Sequence, residues 1–214
     1  MYRIIDLSWP MRPGMPAYPG DPPMRLDRMG DYEPDGYLSH LASLPTHSGT
    51  HVDAPAHVLE GGAGLADLPL AQFFGPAVML DLTDRKGRAV TAADLEPHQG
   101  LVMRERPAFV LLRTGDSDRW GTPDYYPAGT YLEPQAAQAL VGLSFLSGIG
   151  LDAGSVDPFG SRSMPAHRAL LSSGLIVAEN LRGLGQLPPR GFVFLCLPLL
   201  GLDGSPARAA ALLE

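Results

Sequence analysis

Short apolar runs recur along the chain at residues 3–7, 76–82, 108–113, 148–152, 175–178 and 191–197, most of them bounded by Gly, Pro or charged residues. Runs of this length, apolar at nearly every position, predict strands that are covered on both faces. Four segments between and after them carry helix signals. Residues 91–95 open on Thr91 with an acidic first turn, and residues 132–143 place Leu132, Ala136, Ala139, Leu140 and Leu143 on one face. Residues 166–171 form a third candidate, and 206–213 a fourth, with Ser205 as cap and Pro206 in the first turn. Residues 10–23 carry prolines at 10, 13, 16, 19 and 22, which exclude a helix and most ladder positions and predict an irregular loop. The pattern is that of an α/β protein with a mixed or largely covered sheet, whose strand order the pattern leaves open.

Composition narrows this picture. The 214 residues fit one domain, and 45% apolar against 18% charged residues is a globular balance, so a disordered chain is excluded. The 25 Gly and 22 Pro show no three-residue period and point to many shaped loops. A net charge of −7 with singly scattered basic residues excludes a nucleic-acid partner. The single cysteine, Cys196, lies in an apolar run and is expected to be a small buried side chain, so neither a disulfide framework nor a thiolate metal cluster is available. With no stretch of ~18 apolar residues, the expectation is a soluble cytoplasmic protein without a membrane partner.

Three of the six histidines fall within eleven residues, His47-Ser-Gly-Thr-His51-Val-Asp53-Ala-Pro-Ala-His57. The steps between positions 47, 51, 53 and 57 are all even, so an extended chain would project all four side chains from one face. A helix would turn Asp53 ~160° from His51, and Gly49 and Pro55 also oppose one. Imidazole nitrogen and carboxylate oxygen suit zinc, manganese or iron, and a carboxylate can bridge two ions. An ion with an open position lowers the pKa of a bound water towards ~7, which makes hydrolysis the natural chemistry. Rival architectures are poorly represented: there is no G-x-S-x-G elbow and no phosphate-cradling G-x-x-x-x-G-K, and Gly148-x-Gly150 lacks the third glycine of a dinucleotide fingerprint. A non-catalytic, metal-stabilised small-molecule-binding protein is the alternative from another class, disfavoured because closed structural zinc sites prefer Cys and His.

The motif His47-x-Gly49-Thr50-His51-x-Asp53-Ala54-Pro55-x-His57 resembles the signature of the cyclase family of metal-dependent hydrolases, which includes bacterial kynurenine formamidases and isatin hydrolases. Asp6-Leu-Ser8, Tyr18-Pro-Gly-Asp21-Pro22, Leu111-Leu-Arg113-Thr-Gly115, Gly148-Ile-Gly-Leu-Asp152 with Ser155-x-Asp157, and Asp203-Gly-Ser-Pro206-x-Arg208 resemble the family's other blocks, in its order. The resemblance implies a single swivelling β/β/α domain over residues 1–214 and a homodimer or larger homo-oligomer. It implies two divalent ions, zinc or manganese. His47, His51 and Asp53 would hold one ion, with Asp53 bridging to a second held by His167 and Glu179. His57 would be the catalytic acid/base, and Tyr18 a candidate for stacking on substrate. Glu179 ends an apolar strand, where an acid is costly to bury unless paired or metal-bound. The implied reaction is cleavage of a carbon–nitrogen bond in a small aromatic substrate, foremost N-formylkynurenine to kynurenine and formate, with a cyclic amide such as isatin or a lactone as alternatives. Thr50, Ala54 and Tyr18 stand where many of the formamidases carry Ala, Gly and Trp. His40 and His98 match no ligand position.

Overall fold

The computed structural model describes residues 3–199, 201 and 203–213. In chain order the strands are β1 (Arg3–Asp6), β2 (Arg25–Gly30), β3 (Ser39–Ser43), β4 (His51–Asp53), β5 (Phe74–Asp81) and β6 (Ala89–Val90). They continue as β7 (Phe109–Arg113), β8 (Tyr131–Leu132), β9 (Gly148–Leu151), β10 (Ile176–Glu179), β11 (Phe192–Pro198) and β12 (Gly204–Leu213). The helices are a short turn α1 (Tyr32–Asp35), then α2 (Ala92–Leu95), α3 (Gln99–Glu105), α4 (Pro134–Val141) and α5 (Pro165–Ser172).

The main sheet runs β1-β12-β11-β5-β7-β9-β10-β4, and a further pairing of β12 with β4 closes it into a barrel-like ring. Strands β5, β7, β9 and β10 are mutually parallel, whereas β11, β12 and β4 join antiparallel. The alternation of strand side chains sorts the apolar residues into two cores. Ala77, Met79, Phe109, Leu111, Ile176, Ala178 and Phe194 fill the ring interior. Their neighbours Val78, Leu80, Val110, Leu112, Ile149 and Val177 face outwards onto α2 to α5, which cover the parallel strands. Gly150 belongs to the inner set: a Cβ there would lie 2.8 Å from both Leu111 and Leu181. The Gly148-x-Gly150 pattern is thus a packing feature of a buried strand.

The six predicted strands and the irregular 10–23 loop are present, with ends shifted by a residue or two. At the start of α2 the Asp94 carboxylate accepts from both the backbone N–H and the hydroxyl of Thr91, each at 2.8 Å, which ties the expected cap residue to the acidic first turn. Two expectations need correction. Residues 206–213 are not a helix; they lie in β12, paired with β11 on one side and with β4 and β1 on the other. The alanine-rich segment has helix propensity, but ladders on both sides override it, and the small Ala209 and Ala211 fit the ring interior. Residues 47–57 are not one extended strand either. Only His51–Asp53 is a strand; Gly49 turns the chain at φ +61°, and Pro55–His57 forms a 3₁₀ turn. Predicted helix 132–143 is shorter at both ends: Tyr131–Leu132 pairs with β6 at its start, and Gly142 caps it after Val141.

Candidate metal centre

Strand geometry assembles the first part of the site. His51 and Asp53 lie two residues apart on β4, so both point to the same, outer face, while Val52 points into the ring. The antiparallel register sets Glu179 opposite His51 and Val177 opposite Asp53, which puts Glu179 on that outer face as well. Helix α5 lies over this face and brings His167 down from its first turn. His167 Nε2 stands 3.5 Å from Asp53 Oδ2 and 3.2 Å from Glu179 Oε1; His51 Nε2 stands 3.2 Å from Asp53 Oδ1 and 3.4 Å from Glu179 Oε2. His47 enters from the turn before Gly49 and places Nδ1 2.7 Å from Asp53 Oδ1. Asp53 is therefore central, with one oxygen facing His47 and His51 and the other facing His167.

Each imidazole is anchored at the nitrogen that points away from this centre. His51 Nδ1 lies 2.8 Å from the Gly49 carbonyl, to which Asn180 Nδ2 also donates at 2.9 Å. His167 Nδ1 lies 2.7 Å from Asp157 Oδ2, and the same carboxylate accepts from the backbone N–H groups of Ala166 and His167 at the start of α5. His47 Nε2 lies 3.0 Å from Asp203 Oδ2. With the outer N–H of each ring donated to an oxygen, the inner nitrogen keeps its lone pair for a cation, an arrangement typical of metal-ligating histidines.

Electrostatics agree with that reading. Burial penalises the His51 cation, yet the carboxylates of Asp53 and Glu179 more than offset this and raise its pKa to about 10. His167 is likewise raised well above the ordinary imidazole value against its burial, by Asp157, Asp53 and Glu179. Burial opposes the Asp53 charge, but His51, His167 and His47 hold its carboxyl well below the usual range. Asp53 Oδ2 is buried and has no hydrogen-bond partner among the described residues. An orphaned carboxylate oxygen amid inward nitrogens is a donor set that fits a divalent ion, whose charge would replace the imidazole protons.

His57 differs. Its ring tilts against His47 with 3.9 Å between centroids, and its Nδ1 is 3.9 Å from Asp203. Burial and the nearby His47 and His167 outweigh the pull of Asp53 and Glu179 and lower its pKa from the ordinary imidazole value, which favours the neutral ring. It borders a cavity of about 370 Å³ that is also lined by Tyr18, Tyr126, Ser155 and Met164. The Tyr18 hydroxyl accepts from Gly160 N–H at 3.1 Å, and its ring meets Tyr126 edge-on.

The structure thus brings together His47, His51, Asp53, His57, His167 and Glu179, and sets Tyr18 on the cavity wall. Cys196 is buried in the ring interior, as expected. Three contributors had no assigned role in the sequence: Asp157, Asp203 and Asn180. The first two sit in quoted motif blocks, and Asn180 directly follows Glu179 in the left-handed region at φ +55°. Acids in Gly- and Ser-rich loops outside any helix or strand are the signal that marks the first two.

The fold and its buried cluster define an α/β protein built to hold a divalent metal. Residues 5–158 match the model of the cyclase family, described as "Putative cyclase". A kynurenine formamidase from Salinibacter ruber is 35% identical over 215 residues, which cover 96% of this chain and 95% of that protein. Isatin hydrolase A from Labrenzia aggregata, solved with benzyl benzoate bound, superposes with a TM-score of 0.86 at 26% identity, covering 99% of this chain and 94% of that one. A structure described as a potential metal-dependent hydrolase with cyclase activity superposes with a TM-score of 0.79 at 27% identity, covering 100% and 99%. The chain belongs to the cyclase family.

Proposed function

We propose that this chain, acting as one domain over residues 1–214, is a metal-dependent hydrolase that cleaves the amide bond of a small aromatic substrate. N-formylkynurenine is the foremost candidate, yielding kynurenine and formate. The observation that carries this reading is Asp53, a buried carboxylate with one oxygen among His47 and His51 and the other, unbonded, facing His167. His47, His51 and Asp53 would hold one ion, and Asp53, His167 and Glu179 a second. Their mixed nitrogen and oxygen donors suit zinc or manganese. Bound there, divalent ions supply Lewis acidity and a lowered water pKa.

The chain's own residues supply the rest. Neutral His57 accepts a proton from the attacking water and delivers it to the leaving nitrogen as the C–N bond breaks and the C–O bond forms. Tyr18 and Tyr126 give the cavity an aromatic wall against which a flat ring packs. The identity of the Salinibacter ruber relative favours the formamide substrate; the isatin hydrolase likeness keeps a cyclic amide as the second reading. A homodimer or higher homo-oligomer is part of the proposal. Among the described residues the β2–β3 hairpin is paired only with itself, and it exposes Leu26, Met29 and Leu41, a surface that a second copy would cover.

The test combines elemental analysis with a panel of N-formylkynurenine, isatin and simple lactones. About two divalent ions per chain, and formate release from N-formylkynurenine with the highest kcat/KM of the panel, are expected. A two-ion protein that opens isatin and leaves the formamide intact transfers the assignment to the second reading; one that hydrolyses nothing in the panel sinks it.

A further inference from the structure

The C-terminal block Asp203-Gly204-Ser205-Pro206 is not used by the reaction as derived, yet it meets the site directly. Pairing of β12 with β4 sets Gly204 opposite Asp53, and Ala54 N–H donates to the Asp203 carbonyl at 2.9 Å, so the backbone of this block is fixed against the ligand strand. The His47 ring rests on Gly204: a Cβ there would collide with the ring, coming within 2.7 Å of Nε2 and 2.9 Å of Nδ1. Beside it, Asp203 Oδ2 faces His47 Nε2 at 3.0 Å, and Thr46 Oγ1 lies 3.4 Å from the same oxygen.

His47 differs from the other two imidazoles in needing such a seat. His51 is carried by a strand and His167 by a helix, whereas His47 sits in a turn without a ladder or a helical backbone to hold it. Its side chain is also 20% exposed, against 3% and 2% for His51 and His167, so packing alone orients it less. A glycine that admits the ring and a carboxylate that takes its outer N–H replace the missing constraint. Asp157 does the same for His167, from a different part of the chain.

We propose that Asp203 is a positioning residue for His47, seated with Gly204 so that Nδ1 presents its lone pair to a divalent ion on the Asp53 side. The inference rests on the two-ion reading of the centre and assigns the distal C-terminal block a role in it. Outer partners of ligating histidines change metal affinity by ~10- to 100-fold when removed.

The experiment is a competition titration of metal-stripped protein with Zn²⁺ against a chromophoric chelator, on wild type, Asp203→Ala, Asp203→Asn and Asp157→Ala. The Asp203→Ala protein is expected to bind one ion ~10- to 100-fold more weakly and the other unchanged. Asp157→Ala weakens the opposite ion, and Asp203→Asn, whose side-chain oxygen still accepts the N–H, recovers most of the affinity. Melting of the metal-free Asp203→Ala protein stays at the wild-type temperature, because the residue is half-exposed. Two outcomes overturn the role of Asp203 while leaving the metal centre standing: ion binding indistinguishable from wild type, or equal weakening of both ions with a lowered melting temperature. Wild type that takes up no Zn²⁺ overturns the two-ion reading and this inference with it.

Discussion

The two ends of the site use the same groups, imidazole and carboxylate, in opposite surroundings. At the deep end the side chains of Asp53, His167 and Glu179 are 0–5% exposed. At the mouth His47, His57 and Asp203 are 20%, 22% and 40% exposed. Low dielectric makes each unmatched charge at the deep end costly, so its carboxylates face imidazoles at 3.2–3.5 Å while Asp53 Oδ2 is left without a hydrogen-bond partner among the described residues. At the mouth, solvent screens the pairs, and a group can exchange protons with water at little cost. The deep end is therefore suited to holding a cation, and His57 at the mouth to moving a proton.

The largest expected effect tests the first half of that contrast. Glu179→Ala removes a carboxylate shared by His51 and His167 and from which the Val156 N–H has its 2.8 Å acceptor. Breaking a buried pair in this way costs about 3–5 kcal/mol. Urea unfolding of the metal-free protein should show that loss, and the variant supplied with Zn²⁺ should not hydrolyse substrate, whereas metal-free Asp203→Ala should lose no more than about 1 kcal/mol. Equal losses at the two positions would remove the distinction between the ends.

His57→Ala tests the second half. As the proton carrier its removal should lower kcat by about 10²- to 10⁴-fold. Metal content and melting temperature should stay at wild-type values, since it belongs to neither proposed ligand set. Activity within a few-fold of wild type would mean that another group at the mouth moves the proton.

Much of this arrangement was legible in the chain, for identifiable reasons. The parallel strands are apolar on both faces, so β5, β7 and β9 stand out as continuous runs, and the His47 to His57 motif shows its chemistry by residue type and spacing. What was not legible depends on partners distant in sequence. The hairpin strand β2, Arg-Leu-Asp-Arg-Met-Gly, is exposed along most of its length and carries no burial pattern. Strand β12 reads as a helix because its alanines have no local reason to be extended; that reason is β11 and β4 on either side. The even spacing in 47–57 correctly indicated convergence but not its means, since a left-handed Gly49 and a 3₁₀ turn do what one straight strand was expected to do. Asp157 and Asp203 act on histidines 10 and 156 residues away, a relation no local pattern encodes.

Acidity should act on His51 and His57 with opposite signs in the metal-free protein. His51 has a folded pKa raised from 6.5 to about 10, so its stabilisation is complete below pH 6.5 and is lost as pH rises through 10. His57 has a folded pKa lowered below 6.5, so the unfolded chain binds its proton first and stability falls as pH drops below 6.5. Denaturant unfolding from pH 5 to 10 should give a falling alkaline limb that saturating Zn²⁺ flattens, because the ion displaces the His51 proton. In a His57→Gln protein the acid limb should be shallower and the alkaline limb unchanged. An alkaline limb absent from the metal-free wild type would contradict the charged deep network.

The smallest effect concerns the cavity wall beyond both ends. Tyr18 belongs to neither proposed ligand set; its hydroxyl accepts a hydrogen bond from Gly160, and its ring packs against Tyr126 and Phe159. Tyr18→Phe removes that single neutral bond and keeps the ring, a change of about 0.5–1.5 kcal/mol at most. If the ring is what meets an aromatic substrate, this variant should keep KM within about twofold to tenfold, with kcat and metal content unchanged. Tyr18→Ala deletes the stacking face as well and should raise KM further for N-formylkynurenine than for an aliphatic formamide. Equal KM changes for the two substrates would show that Tyr18 shapes the loop around Gly160 and does not recognise an aromatic ring.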